Sequence, residues 1–273
     1  MRTFDRLALA LVAPAALAAS SVAARAEDTG EKVEYHFTDA TTDFGNLHLS
    51  ANLLGYQLSS PGDGLVTTLN GIFELSQAFV VRAHAAFPFL VGVGSADGPV
   101  RLEGGIALHS TSFDVEMEQA ELERTDTQVK YINVPVVNRN SKGLGVGVIY
   151  RDNAVETKIG GKEGVDTRAQ QLTLYAGLST INSAGYSLSV KNHKGSFLNY
   201  RFVAAGLDAL FDVVQSYGKK PDDAPGRFGG RLWAESIFGT TFGLSGRLEI
   251  GYFPGDTGFY LLASIGVGLN LHL

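Results

Sequence analysis

The last thirteen residues, Leu261 to Leu273, read LLASIGVGLNLHL. Leu261, Ala263, Ile265, Val267, Leu269, Leu271 and Leu273 share one parity, and Leu262, Ser264, Gly266, Gly268, Asn270 and His272 take the other. Successive side chains of a strand point to opposite faces, so the segment is a ribbon that is apolar on one side and small or polar on the other. A helix would smear the same pattern around its circumference. Thirteen residues exceed a typical globular strand and suffice to cross a bilayer when tilted.

The alternation recurs upstream. Leu47, Leu49, Ala51 and Leu53 oppose Asn46, His48, Ser50 and Asn52; Leu65, Leu69, Phe73 and Leu75 oppose Thr68, Asn70 and Glu74. Phe79, Val81, Ala83, Ala85, Phe87 and Phe89 oppose Arg82 and His84, and Val100, Leu102, Ile106 and Leu108 oppose Arg101, Glu103 and His109. Turn-forming residues 59–64 and 92–98 separate these segments. Residues 116–126 are charged and read as a connection or a strand extension. Further strands are expected around 128–137, where Pro135 tolerates only an irregular or edge position, and over 144–159, 172–178, 186–190 and 198–204. Near Gly206 the parity slips, and a bulged strand or a short helix both fit. Strands over 228–238, 242–252 and 259–273 finish the chain, with a long polar loop at Lys219 to Gly226. The count is about twelve, with ten or fourteen as alternatives.

The terminal ribbon resembles the last strand of Gram-negative outer-membrane β-barrels, whose assembly signal is a final alternating strand ending in an aromatic residue; here the last residue is Leu273. The resemblance implies an all-β, antiparallel, up-and-down transmembrane barrel in the bacterial outer membrane, surrounded by lipid and folded by the barrel-assembly machinery. The beginning of the chain agrees. Arg2 and Arg6 precede an apolar run from Leu7 to Ala19, and Ala24-Arg25-Ala26 forms an A-x-A cleavage site, the signature of a secretory signal peptide. The expected organisation is a cleaved signal at 1–26, a periplasmic lead-in at 27–44 with an extra strand as the alternative, and a barrel at 45–273. Placing the chain ends on the periplasmic side puts the short Gly239-Thr240 turn there and the loop at 219–226 outside.

Composition narrows the function. There is no cysteine, which rules out thiolate metal sites and disulfides. Cleavage after Ala26 reduces 22 basic and 28 acidic residues to 19 and 27, a net charge of −8, which disfavours a nucleic-acid partner. No cofactor is expected. His109 has Ser110 and Ser112 on the opposite parity and only Thr111 beside it in sequence, so no nucleophile–base pair stands out and the protein is expected not to be an enzyme.

In the strands up to His109 every charged residue falls on the polar parity, where a barrel places its lumen. A lumenal network is therefore expected from Arg82, His84, Arg101, Glu103, Arg231, Trp233, Glu235, Arg247 and Glu249. In the penultimate hairpin, avoiding Arg231 opposite Arg247 favours Arg231 opposite Glu249 and Trp233 opposite Arg247, with Ser264, Gly266 and Gly268 leaving room. Closure should bring Asn46 and His48 to Asn270 and His272 as a hydrogen-bonded polar seam rather than a metal site. Two functions fit: a narrow channel for small solutes, ranked slightly first, and a membrane anchor in an envelope-spanning complex with protein partners, for motility, secretion or surface attachment. Val267→Arg should block membrane assembly, whereas Gly266→Ser, facing inward, should be tolerated.

Overall fold

A computed structural model describes residues 35–39, 46–58, 64–88, 100–124, 129–190, 196–219, 221–223, 226–239, 241–255 and 259–271. The expectations placed on residues 1–34 and on His272 lie outside the described residues. The chain divides into two compact units, residues 34–117 with 135–273, and residues 1–33 with 118–134. In the second unit, the described part is the end of one strand and the beginning of the next.

The strands are β1 (Tyr35–Asp39), β2 (Leu47–Leu58), β3 (Gly64–Glu74), β4 (Phe79–Pro88), β5 (Val100–Arg124), β6 (Val129–Ile159), β7 (Lys162–Val190), β8 (Ser196–Tyr217), β9 (Phe228–Gly239), β10 (Phe242–Tyr252) and β11 (Tyr260–Leu271). From β2 to β11 each strand pairs with the next, and β11 pairs antiparallel with β2, so ten strands close into a barrel. β1 pairs with β7 through Tyr35↔Val190 to Asp39↔Tyr186, taking the edge of β7 past Asn138↔Ala184, where the register with β6 ends. Within the stretch expected as a lead-in, Tyr35 to Asp39 thus form a strand, the alternative reading.

Ten strands replace the expected twelve for a local reason. Segments expected as separate strands at 128–137 and 144–159 are both part of β6, and those at 172–178 and 186–190 are both part of β7. Asn182-Ser183-Ala184-Gly185 carries turn chemistry, but β8 pairs with all four residues and β6 with Asn182 to Ala184. Asn182 also meets Asn140, its cross-strand partner, at 2.6 Å. Tertiary pairing overrides local propensity here. The charged stretch after residue 116 continues β5 to Arg124, and Pro135 stands in β6 beyond the last residue that β7 pairs.

Near Gly206 the parity does not slip: Tyr200, Phe202, Ala204, Asp208 and Leu210 stay buried on one parity, the first three being apolar side chains turned into the lumen, while Leu207 is exposed. The code shifts instead at two bulges. On β8, Leu172 pairs with Val214 while Thr173 pairs with Asp212, so one extra residue, Val213, shifts the code. Leu207 and Phe211 are exposed before it and Val214 after it. On β2, the pairing with β11 jumps from Ala51↔Val267 to Leu54↔Ile265, leaving Leu53 and Leu54 both exposed. Gly266 sits opposite that jump. A Cβ there would lie 2.1 Å from the carbonyl oxygen of Ala51 and 2.4 Å from Cα of Asn52. The expected tolerance of Gly266→Ser is overturned, because backbone rather than open lumen faces this position.

Along the middle of the closing strand β11, apolar side chains point away from the barrel axis. Ile265 is 50% and Val267 60% exposed, whereas Leu262 and Glu249 are fully buried. On β9 the outward row runs Phe228, Gly230, Leu232, Ala234, Ser236, Phe238; on β10 it runs Phe242, Leu244, Gly246, Leu248, Ile250, Tyr252. Both rows begin and end on an aromatic residue and contain no charge. Ten residues at about 3.3 Å each separate the two ends, about 33 Å along the strand.

At the β6–β7 hairpin, Gly160 (φ 58°) and Gly161 (φ 75°) adopt left-handed conformations suited to a two-residue turn. Their N–H groups donate to the Asp222 carboxylate at 2.8 and 2.7 Å, which clasps the β8–β9 loop to the hairpin. Those two donors hold the carboxyl of Asp222 below the usual carboxylate range. The depressed value means the clasp is fully present above the ordinary aspartate pKa and is lost as pH falls through the folded value. Amide exchange at Gly160 and Gly161, corrected for its intrinsic pH dependence, should therefore accelerate on acidification, and Asp222→Asn should remove that response.

Candidate functional site

The lumen is built by the inward parity of nearly every strand. Among the described residues its mid-section holds four guanidinium groups, from Arg82 (β4), Arg101 (β5), Arg231 (β9) and Arg247 (β10), against four carboxylates, from Glu103 (β5), Asp208 (β8), Glu235 (β9) and Glu249 (β10). Arg231 is the centre. It grips Glu103 with two parallel bonds of 2.6 and 2.5 Å, donates to Asp208 at 2.9 Å, and lies 4.0 Å from Glu249. Arg82 reaches the same Asp208 at 2.9 Å. Arg101 meets Glu249 at 2.7 Å and also contacts His84. Arg247 bonds Glu249 at 2.8 Å and Glu235 at 3.0 Å. Taking such ions out of water costs several kcal/mol each, repaid only when geometry is good and every remaining donor and lone pair is used. Ser50 donates to Glu235 at 2.9 Å and Tyr260 to Glu249 at 3.1 Å, serving that need.

The register of the last hairpin differs from expectation. Arg247 is opposite Glu235, Trp233 opposite Glu249 and Arg231 opposite Gly251, two residues beyond the anticipated alignment. This register also separates the two arginines, and Gly251 gives Arg231 space that a side chain would occupy, since a Cβ there would lie 2.8 Å from that of Arg231. Arg231 therefore crosses the lumen instead of pairing along the hairpin. The Arg247–Trp233 contact survives at 5.4 Å to the ring centroid, with Arg82 at 4.7 Å from the same indole.

Large inward side chains lie flat over glycines. Arg82, Gly105, Gly147 and Tyr175 form one row across four strands, and Tyr175 extends along it so that its hydroxyl accepts from Arg82 Nε at 2.9 Å. A Cβ on Gly105 would fall 1.7 Å from that hydroxyl. Gly105→Ala should displace the ring and cost about 1–3 kcal/mol, measured as a lower urea midpoint in lipid vesicles. Trp233 lies against its partner Gly206 in the same way.

Apolar clusters occupy the lumen towards both ends. Ile72, Val80, Tyr200, Phe202 and Ile237 pack near the β3–β4 and β9–β10 turns. Val66, Ile149, Leu210, Phe253 and Leu262 pack near the opposite connections. Phe202, Ile237, Ile149 and Leu262 have no exposed surface.

At the seam, His48 bonds Asn270 at 2.9 Å through Nδ1 and approaches Glu74 at 3.4 Å through Nε2, while its ring stacks on Phe202 at 3.8 Å. Asn46 joins through its backbone, its N–H donating to the carbonyl of Leu271. Glu74 is also held by Arg139. Deeper in, Asn52 accepts from Ser245 and donates to Ser264.

Several of these residues were missed from sequence. Asp208 lies in the stretch that reads from sequence as a slip of parity, and Arg139 between the strands expected at 128–137 and 144–159. Tyr175 stood on the polar parity between Leu174 and Ala176 and was legible. His109 finds a hydroxyl that sequence spacing hides: Ser179, across two strands, at 2.9 Å. Among the described residues its other ring nitrogen, which is buried, has no hydrogen-bond partner.

No family model and no curated protein matches the chain. Among solved structures it is similar to an anion-selective porin from Comamonas acidovorans, with a TM-score of 0.20 and 8% identity over 86% of this chain and 99% of that one.

Proposed function

We propose that the protein is an integral outer-membrane β-barrel that works as a closed, non-enzymatic anchor or scaffold subunit of an envelope assembly. It is exported by a cleaved signal peptide and inserted by the barrel-assembly machinery. The inverted polarity carries this reading: four ion-paired guanidinium groups are sealed inside while leucine, valine and isoleucine side chains face out. A soluble sandwich would place these groups the other way round. With the tilt of about 40° usual for such strands, 33 Å along β9 and β10 rises about 25 Å, the height of an outer-membrane apolar band, and aromatic residues stand at both of its borders.

The filled lumen favours the scaffold over the channel. Apolar layers towards each end and a neutralised charge girdle between them leave the barrel packed with side chains. Purified protein in planar bilayers is expected to be electrically silent. Reproducible unit conductance steps would instead make the girdle the constriction of a narrow solute channel.

A further inference from the structure

Strand β5 outruns its neighbour. β4 pairs with it only as far as Phe79↔Leu108, and the backbone bond from His109 N–H to the carbonyl of Ala78 (2.8 Å) extends that edge by one residue. β5 continues beyond this rim with β6 along its other side. In an antiparallel ladder, alternate residues direct both backbone groups to the same edge. His109 sets that edge for the odd residues, so Phe113, Val115 and Met117 present N–H and C=O where no described strand pairs. Unpaired edges of this kind are templates for an added strand.

The side-chain code inverts at the same place. Inside the barrel the odd residues Arg101, Glu103 and His109 are buried and the even residues Leu102, Ile106 and Leu108 are exposed. Past the rim the odd face carries Phe113, Val115 and Met117, exposed by 50%, 66% and 66%, and the even face carries Ser112, Asp114 and Glu116. Asp114 meets Asn140 at 3.3 Å and Glu116 meets Arg201 at 3.6 Å, both at exposed positions.

We propose that the β5 edge from Ser112 to Met117 accepts an extended segment of a partner protein as an added strand. That segment would set apolar side chains beside Phe113, Val115 and Met117, and lysine or arginine beside Asp114 and Glu116. A second copy fits poorly, because edge-to-edge pairing would set carboxylates against carboxylates. Lipid fits poorly too, because unpaired backbone groups and two carboxylates are costly in hydrocarbon. The inference rests on the scaffold reading for its biological sense, whereas the edge that the described strands leave unpaired stands without it.

The test uses the full chain refolded in detergent and a fluorescent peptide of about ten residues alternating valine and lysine. Saturable binding is expected, with amide exchange slowed at Phe113, Val115 and Met117. Val115→Pro removes the central edge donor at a position where proline is sterically allowed, and should weaken binding by about tenfold or more while the barrel keeps its heat-modifiable gel mobility. Asp114→Lys with Glu116→Lys should shift preference to the glutamate counterpart of the peptide. No saturable binding, or equal binding by Val115→Pro, overturns the proposal. So does a dimer that Val115→Pro dissolves, or protection of the same amides by lipid vesicles alone. Bilayer conductance judges the scaffold reading separately.

Discussion

Val267→Arg is expected to abolish insertion of the barrel. Val267 is 60% exposed on the outward face of β11, between Ile265 and Leu269, and pairs with Leu244 of β10 and Ala51 of β2. On the proposed membrane reading, an arginine there enters lipid near mid-span at about 2–4 kcal/mol, on the strand that closes the barrel. The check is heat-modifiable mobility and outer-membrane fractionation, with Val267→Leu as the apolar control. Insertion of the arginine variant at the normal level would sink the outward-facing assignment of β11 and with it the membrane reading. Gly266→Ser is no longer a neutral control: a Cβ there runs into the backbone of Ala51 and Asn52, so it too should impair closure, for a steric rather than an electrostatic reason.

The second large effect lies inside. Arg231→Met should destabilise the folded barrel by about 3–5 kcal/mol, because it leaves Glu103 and Asp208 buried with less compensating charge. Arg82 remains near both, at 3.5 Å from Glu103 and 2.9 Å from Asp208, which keeps the loss from being larger. Removing Glu103 as well, in Arg231→Met with Glu103→Leu, should recover much of the stability, since an apolar pair of similar volume often replaces a buried ion pair without loss. Urea unfolding in lipid vesicles measures both. Additive damage from the two changes would show that the pair does not act as a unit.

Much of this was legible in the sequence because a barrel with apolar outside and polar inside writes itself as strict alternation. The inward placement of Arg82, Arg101, Glu103, Arg231, Glu235, Arg247 and Glu249, and the meeting of His48 with Asn270, follow from parity and closure. What parity cannot supply is register, reach and strand continuity. The hairpin sets Arg247 opposite Glu235 and Arg231 opposite Gly251, a register that avoids opposed arginines as well as the anticipated one does, so charge alone could not choose between them. Asp208 became the shared acceptor of Arg82 and Arg231 only when β8 was placed across the lumen.

The sequence by itself determined the face each residue of a regular strand would take, since a period of two allows only two sides. Tertiary structure alone decided how many strands there are. It kept β7 running through turn residues by pairing them, carried β6 past Pro135 as one strand, and shifted β2 and β8 by one residue at bulges. Long arginine side chains then reached across a closed cylinder to carboxylates more than a hundred residues away, because closure brings distant inward faces within a side chain's length.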